Sequence, residues 1–150
     1  MTNAKTVSVV VTGLIQDPEV FSKSLESFEN LAEVENIVFS TWDTEARENA
    51  TLLAELRYKY DLNVVAVTEP DKWNGNLLSQ MKSLYVGLKH VPVHSYVLKT
   101  RTDVYIEPDA LRHVFRKDLT LTPPDNFKWV RHPFDEKVCV WGVEATSPFY

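Results

Sequence analysis

Ionic side chains crowd into one short stretch of the chain. Lys99, Arg101 and Asp103 alternate with Thr100 and Thr102, directly after the apolar residues Tyr96, Val97 and Leu98. Alternate positions of a strand share a face, so charge of both signs is expected on one side of it. Asp103 is the residue type that holds a divalent cation, Mn2+ or Mg2+, between two phosphates, because hard cations take carboxylate oxygens. Arg101 is suited to bidentate contact with a phosphate. The plainer alternative is an internal ion pair, Arg101–Asp103 or Lys99–Asp103, which the same spacing makes easy.

Three more polar stretches also follow apolar runs: 12–17, 41–44 and 69–76. Gly13 lets a ligand approach the backbone or simply makes a tight turn. Asp17 reads as a helix cap. Asp43 suits either a ribose hydroxyl or another cap, and Trp42 suits a core position or a base-stacking surface. The first loop has neither the phosphate-binding glycine–lysine pattern of NTPases nor G-x-G-x-x-G, which disfavours those nucleotide-binding classes. His90, His94, His113 and His132 lack metal-ligand spacing. Ser40, Ser79 and Ser95 lack the glycine context of a nucleophile elbow.

The elements that must position these residues alternate regularly. Residues 7–11 form a β-branched run of the kind buried on both faces of a parallel sheet. Asp17 and Pro18 read as N-cap and first helical residue, and Phe21, Leu25, Phe28 and Leu31 recur at helical spacing. Residues 36–42 are a second strand. Asp43 or Thr44 then caps a helix to about Tyr60, with an inward stripe of Leu52, Leu53, Leu56 and Tyr60. Residues 62–67 are a third strand, followed by a loop with turn chemistry at Asn74-Gly75. The next helix is expected to face inward through Leu77, Met81, Leu84, Leu88 and Val91. Residues 95–100 are a fourth strand, and Pro108 opens a helix with Leu111, Val114 and Phe115 inward. After Lys117 the order breaks into a Pro123-Pro124 loop and two short strands at 128–132 and 137–143.

This alternation predicts an α/β, Rossmann-like fold: a mostly parallel open sheet with helices on both faces. One domain is expected over residues 1–150, regular to residue 117 and less regular over 118–150. In such sheets ligands bind beyond the carboxyl ends of the strands, where all four polar stretches belong.

Composition narrows the functional classes. A formal net charge of -5 argues against a general nucleic-acid binder. No stretch approaches a membrane span or a signal peptide. Cys139 is the single cysteine, so no internal disulfide forms, and a cytoplasmic location is expected.

The segments Val7 to Ile15 and Phe39-Ser40-Thr41-Trp42-Asp43 carry a family resemblance. It continues through Asn74-Gly75-Asn76, Gln80, Gly87-Leu88-Lys89 and Tyr96 to Asp103. Over roughly its first two-thirds the chain resembles the amino-terminal part of WavE-type lipopolysaccharide synthesis proteins, which look like GT-A glycosyltransferases. The resemblance implies a nucleotide-diphospho-sugar transferase half with a nucleotide-sugar donor at the carboxyl edge of the sheet. Asp103 then takes the D-x-D-like position and contacts the diphosphate through a metal, with Arg101 beside it. Asp43 sits near the nucleoside, and Thr12, Gly13, Asn76 and Gln80 line the donor pocket. Residues 101–105 contain one carboxylate, so the full D-x-D is absent. Leu77, Leu78 and Ser79 stand where the family favours a polar or basic residue. Family members are longer, and their acceptor half and catalytic base are expected after the end of this chain. The alternative is a truncated, non-catalytic relative that binds a ligand or pairs with itself as a homodimer. A doubly wound signalling domain fits the element order but lacks a paired acidic pocket.

Overall fold

A computed structural model describes residues 6–71 and 76–115. The expected turn at Asn74-Gly75, the tail at 118–150 with its two strands, and Cys139 lie outside the described residues.

The first strand, β1 (Val7–Thr12), is buried at every position, as its β-branched composition requires. It lies between β2 (Val34–Trp42) and β4 (Tyr96–Arg101), and β3 (Asn63–Val67) extends the sheet beyond β2. The order is β3-β2-β1-β4, all parallel. Alternation sorts the side chains by face. Val9 and Val11 of β1 and Ile37 and Phe39 of β2 join the main core. It is completed by Phe21, Leu25 and Phe28 of α1 (Pro18–Glu29), Leu53, Leu56 and Tyr60 of α3 (Ala50–Tyr60), and Leu111 of α5 (Pro108–Phe115). Burying each phenylalanine contributes about 1.5–3 kcal/mol.

Helix α1 starts where the sequence places it. The Asp17 carboxylate accepts from the Glu19 and Val20 amides at 3.0 and 3.1 Å, and Pro18 occupies the first turn. The helix expected from 43 to 60 is instead two, α2 (Asp43–Glu48) and α3, parted at Asn49. The Asn49 amide donates to both the carbonyl and the carboxylate of Glu45 at 3.1 Å, so its side chain competes with helical backbone pairing. Neither Asp43 nor Thr44 caps α2. Trp42 holds that position without a side-chain hydrogen bond, and Asp43 is the first helical residue.

The opposite face of the sheet carries α4 (Leu77–Leu88), whose orientation corrects the sequence expectation. Its buried residues are Ser83 and Gly87, while Leu77, Met81 and Tyr85 are 64%, 61% and 61% exposed and Leu84 is half-buried. Beneath it lie Val10 and Ser40. A Cβ on Gly87 would stand 2.7 Å from Val10 Cγ1 and 3.2 Å from Ser40 Cβ, so only glycine permits this approach. Two reciprocal hydrogen bonds hold it: the Ser40 hydroxyl donates to the Ser83 carbonyl at 2.7 Å, and the Ser83 hydroxyl to the Ser40 carbonyl at 2.9 Å. Backbone thus approaches backbone, and the small polar side of the helix meets the sheet.

Replacing Gly87 by alanine sets two effects against each other. Helix propensity favours alanine by about 1 kcal/mol. Overpacking against a β-branched side chain and a strand Cβ costs about 1–3 kcal/mol. The clash outweighs the gain, so urea unfolding of Gly87→Ala is expected to show a net loss of up to about 2 kcal/mol. A variant as stable as the parent would mean that α4 is not held this close.

Candidate ligand-binding site

A crevice lies beyond the carboxyl ends of β1 and β4, at the switch in strand order. A cavity of about 230 Å³ lies there. Thr12, Gly13, Asn76, Gln80, Arg101 and Asp103 all line it, so six of the seven sequence candidates meet in one place. Asp43 is absent from the lining. Its carboxylate accepts from Thr68 Oγ1 at 2.9 Å, which ties the start of α2 to the end of β3.

Hydrogen bonds shape the loop that forms one wall. Gly13 has φ +121°, a backbone conformation open to glycine and strained for any residue with a Cβ. Its carbonyl accepts from Thr41 Oγ1 at 3.0 Å. The next carbonyl, of Leu14, accepts from Thr102 Oγ1, and the Ile15 amide donates to Glu45 Oε1 at 2.6 Å. The stretch after β4 is fixed from the other side. Ser24 and Ser27 of α1 donate to the carbonyls of Val104 and Ile106 at 3.0 and 2.9 Å. Both walls are therefore fastened to the framework by side-chain-to-backbone bonds.

The third wall is the start of α4. Asn76 and Gln80 are four apart, and Ser83 and Gly87 continue the same side of the helix. Contact at Ser83 and Gly87 consequently brings Gln80 and Asn76 over the crevice. Asn76 makes no side-chain cap bond to the helix it precedes.

Charge is unevenly arranged. The Arg101 guanidinium grips Asp103 with both ends, Nε to Oδ1 at 2.9 Å and Nη2 to Oδ2 at 2.6 Å. The internal ion pair raised by the sequence is thus formed, and both carboxylate oxygens accept from it. Among the described residues, no three His, Cys, Asp or Glu side chains converge to hold a metal ion. Lys99 lies two residues before Arg101 on the same strand face and also lines the cavity. Burial pushes its ammonium below the ordinary lysine range, the Arg101 cation lowers it further, and Asp103 opposes both. Glu69 and Trp42, from the β3 and β2 side, complete the polar and aromatic lining. The sequence reading had considered Lys99 only as a partner for Asp103. The shared strand face of 99 and 101 was the signal that marked it for the cavity.

No protein-family model matches the chain, and no curated protein does. Among solved structures it is similar to 4-diphosphocytidyl-2C-methyl-D-erythritolsynthase from Anaerococcus prevotii DSM 20548. The TM-score is 0.53 and the identity 16%, over 78% of this chain and 54% of that one. The chain thus spans about half the length of that structure. At this identity the likeness is one of fold, and the Rossmann-like α/β architecture expected from the sequence is the one found. No described helix is long and apolar enough to cross a membrane.

Gly13→Ala tests the loop wall. The added Cβ has room, with Thr102 Oγ1 at 3.5 Å, so the cost comes from the positive φ. It is expected at about 1–3 kcal/mol in chemical denaturation. Proteolysis should quicken at residues 13–16, whereas cleavage unchanged from the parent would show that the positive φ is not what orders the loop.

Proposed function

We propose that the domain binds a nucleotide-sugar donor in this cavity, as the donor half of a glycosyltransferase-like protein of lipopolysaccharide or surface-polysaccharide synthesis. The observation that carries the reading is the meeting of six candidates, from three separate chain segments, at the β1–β4 crevice. The resemblance to WavE-type proteins supports the biosynthetic context. The structural neighbour is named for making a diphosphocytidyl compound, the same general ligand class.

The lining suggests a division of labour. Lys99 and Arg101 form the cationic side, where phosphate charge is best placed. Trp42 and Glu69 offer an aromatic edge and a carboxylate for base and ribose. Asn76 and Gln80 supply amides suited to sugar hydroxyls. Glycosyl transfer further requires an oriented acceptor hydroxyl and, in an inverting reaction, a base. No residue of the cavity is assigned that base.

A thermal-shift and calorimetric panel of nucleoside diphosphates and nucleotide sugars tests the proposal. One nucleotide at about 100 times its dissociation constant should add about 2.7 kcal/mol, roughly 5–10 °C in Tm for a chain of this size. Gln80→Ala should weaken the nucleotide sugar more than the bare diphosphate. The donor reading is lost when no nucleotide shifts the protein.

A second reading, a self-associating module, draws on the apolar side of α4. Leu77, Met81, Tyr85 and Leu88 are exposed on this one helix, and exposed apolar residues at helical spacing are the kind of surface a partner covers. A homodimer joined there should give twice the chain mass by light scattering and return to the monomer in Tyr85→Glu. A monomeric parent sinks this reading.

A further inference from the structure

The cavity presents four charged side chains: Lys99, Arg101, Asp103 and Glu69. Arg101 and Asp103 neutralise each other through two hydrogen bonds, whereas Lys99 makes no ion pair with any described residue. A divalent cation takes six or more oxygen ligands, or holds several waters while bound by one or two free carboxylates. Of the two carboxylates in the cavity, Asp103 already accepts from a guanidinium through both oxygens, which leaves Glu69 alone, and no three His, Cys, Asp or Glu side chains converge among the described residues. Lys99, by contrast, has the strand position, the cavity and the charge to receive an anion.

We propose that the cavity holds the diphosphate of its ligand by protein cations alone, with Lys99 as the principal partner and Asp103 serving to aim Arg101 rather than to bind metal. An arginine has five N–H donors, and Asp103 occupies two of them. The remainder, chiefly on Nη1, are free to meet a phosphate oxygen while the guanidinium plane is fixed from behind. Lys99 stands one alternation back along the strand, about 7 Å from Arg101 along the backbone, so both long side chains can reach one anion from the same strand face. Asn76 and Gln80 face this pair from the start of α4. Partial burial and the neighbouring guanidinium disfavour the charged amine, and Asp103 opposes them. As applied to nucleotide sugars this inference rests on the donor reading; as a diphosphate site it stands apart from it.

The test is isothermal titration of the full chain with nucleoside diphosphates and with inorganic pyrophosphate, each in EDTA and in excess Mn2+ or Mg2+. Binding in EDTA is expected within about threefold of that with metal. Lys99→Met should weaken it by about tenfold or more, with Lys99→Arg restoring most of the loss. Lys99→Met, or Lys99→Gln if the first is poorly soluble, should melt close to the parent temperature, since the exposed ammonium makes no ion pair with a described residue. Asp103→Asn should retain binding in EDTA. Binding that requires metal, vanishes in Asp103→Asn and ignores Lys99→Met overturns the inference while keeping the donor reading. Pyrophosphate binding through Lys99, with no gain from any nucleoside, upholds the inference and removes the donor reading. Failure of every ligand in both buffers overturns both.

Discussion

The close seating of α4 on the sheet governs the geometry of the candidate site. Gly87 has no Cβ, and the reciprocal Ser40–Ser83 hydrogen bonds can form only because the helix comes within backbone reach of β2. This contact does more than stabilise. A helix pressed to a sheet along one line of residues has its rotation fixed, and the line through Gly87 and Ser83 continues through Gln80 to Asn76. The first turn of α4 extends past the strand ends, so the same line that touches strand residues at one end faces the crevice at the other. The contact that orders the helix is also the one that aims its amide side chains.

The same constraint explains why this helix was misread. Apolar periodicity assigns the inward face to Leu77, Met81, Leu84 and Leu88, on the assumption that burial is driven by apolar area. Here the sheet surface under α4 is itself small and polar, with Ser8, Ser40 and Thr12 alternating with Val10 and Val38. A surface of that kind gains more from close approach and matched hydroxyls than from bulky side chains. Gly87 was visible as a glycine inside a helical pattern, a residue that usually signals packing. Its partners sit on two strands more than forty residues earlier, a pairing that no local pattern reveals. Elsewhere the sequence was more transparent. The Asp17-Pro18 start of α1, the four strands and the Phe21–Leu25–Phe28–Leu31 stripe follow from local chemistry, and the structure keeps them.

The candidate site was legible to the degree that it depends on topology. Strands that run parallel share one carboxyl edge, so polar stretches following them must gather there whatever their separation in sequence. That rule placed Thr12, Gly13, Arg101 and Asp103 together without any knowledge of side-chain contacts. It said nothing about reach across the edge, and Asp43 shows the limit. Asp43 follows β2 as its strand rule demands, yet it begins a helix and its carboxylate accepts from Thr68 instead of entering the cavity. The side chains that decide such questions are the hydroxyls of Thr41 in β2 and of Thr102 just after β4, which hold the Gly13 loop from either side of β1. Threonine is common in strands for reasons of packing, so its type alone did not announce the role.

Arg101 and Asp103 illustrate why pairing and function need not compete. The pair is partly exposed, so as a surface salt bridge it adds little to stability, about 0–1 kcal/mol. Its value lies in orientation. A lone arginine loses rotamer freedom when it closes on a ligand, and a carboxylate behind it has already removed much of that freedom. Lys99 has no such support and must be ordered by whatever it meets. In the proposed diphosphate site, one preset cation and one adaptable cation on the same strand face would grip the anion with a fixed point and a flexible one. The preset member lies nearer the loop held by Thr102, and the adaptable member lies deeper along β4, beside Val10 in the sheet register. The preset half of the site therefore coincides with the half of the crevice that side-chain-to-backbone bonds fasten, and the adaptable half lies next to the strand residue on which α4 sits.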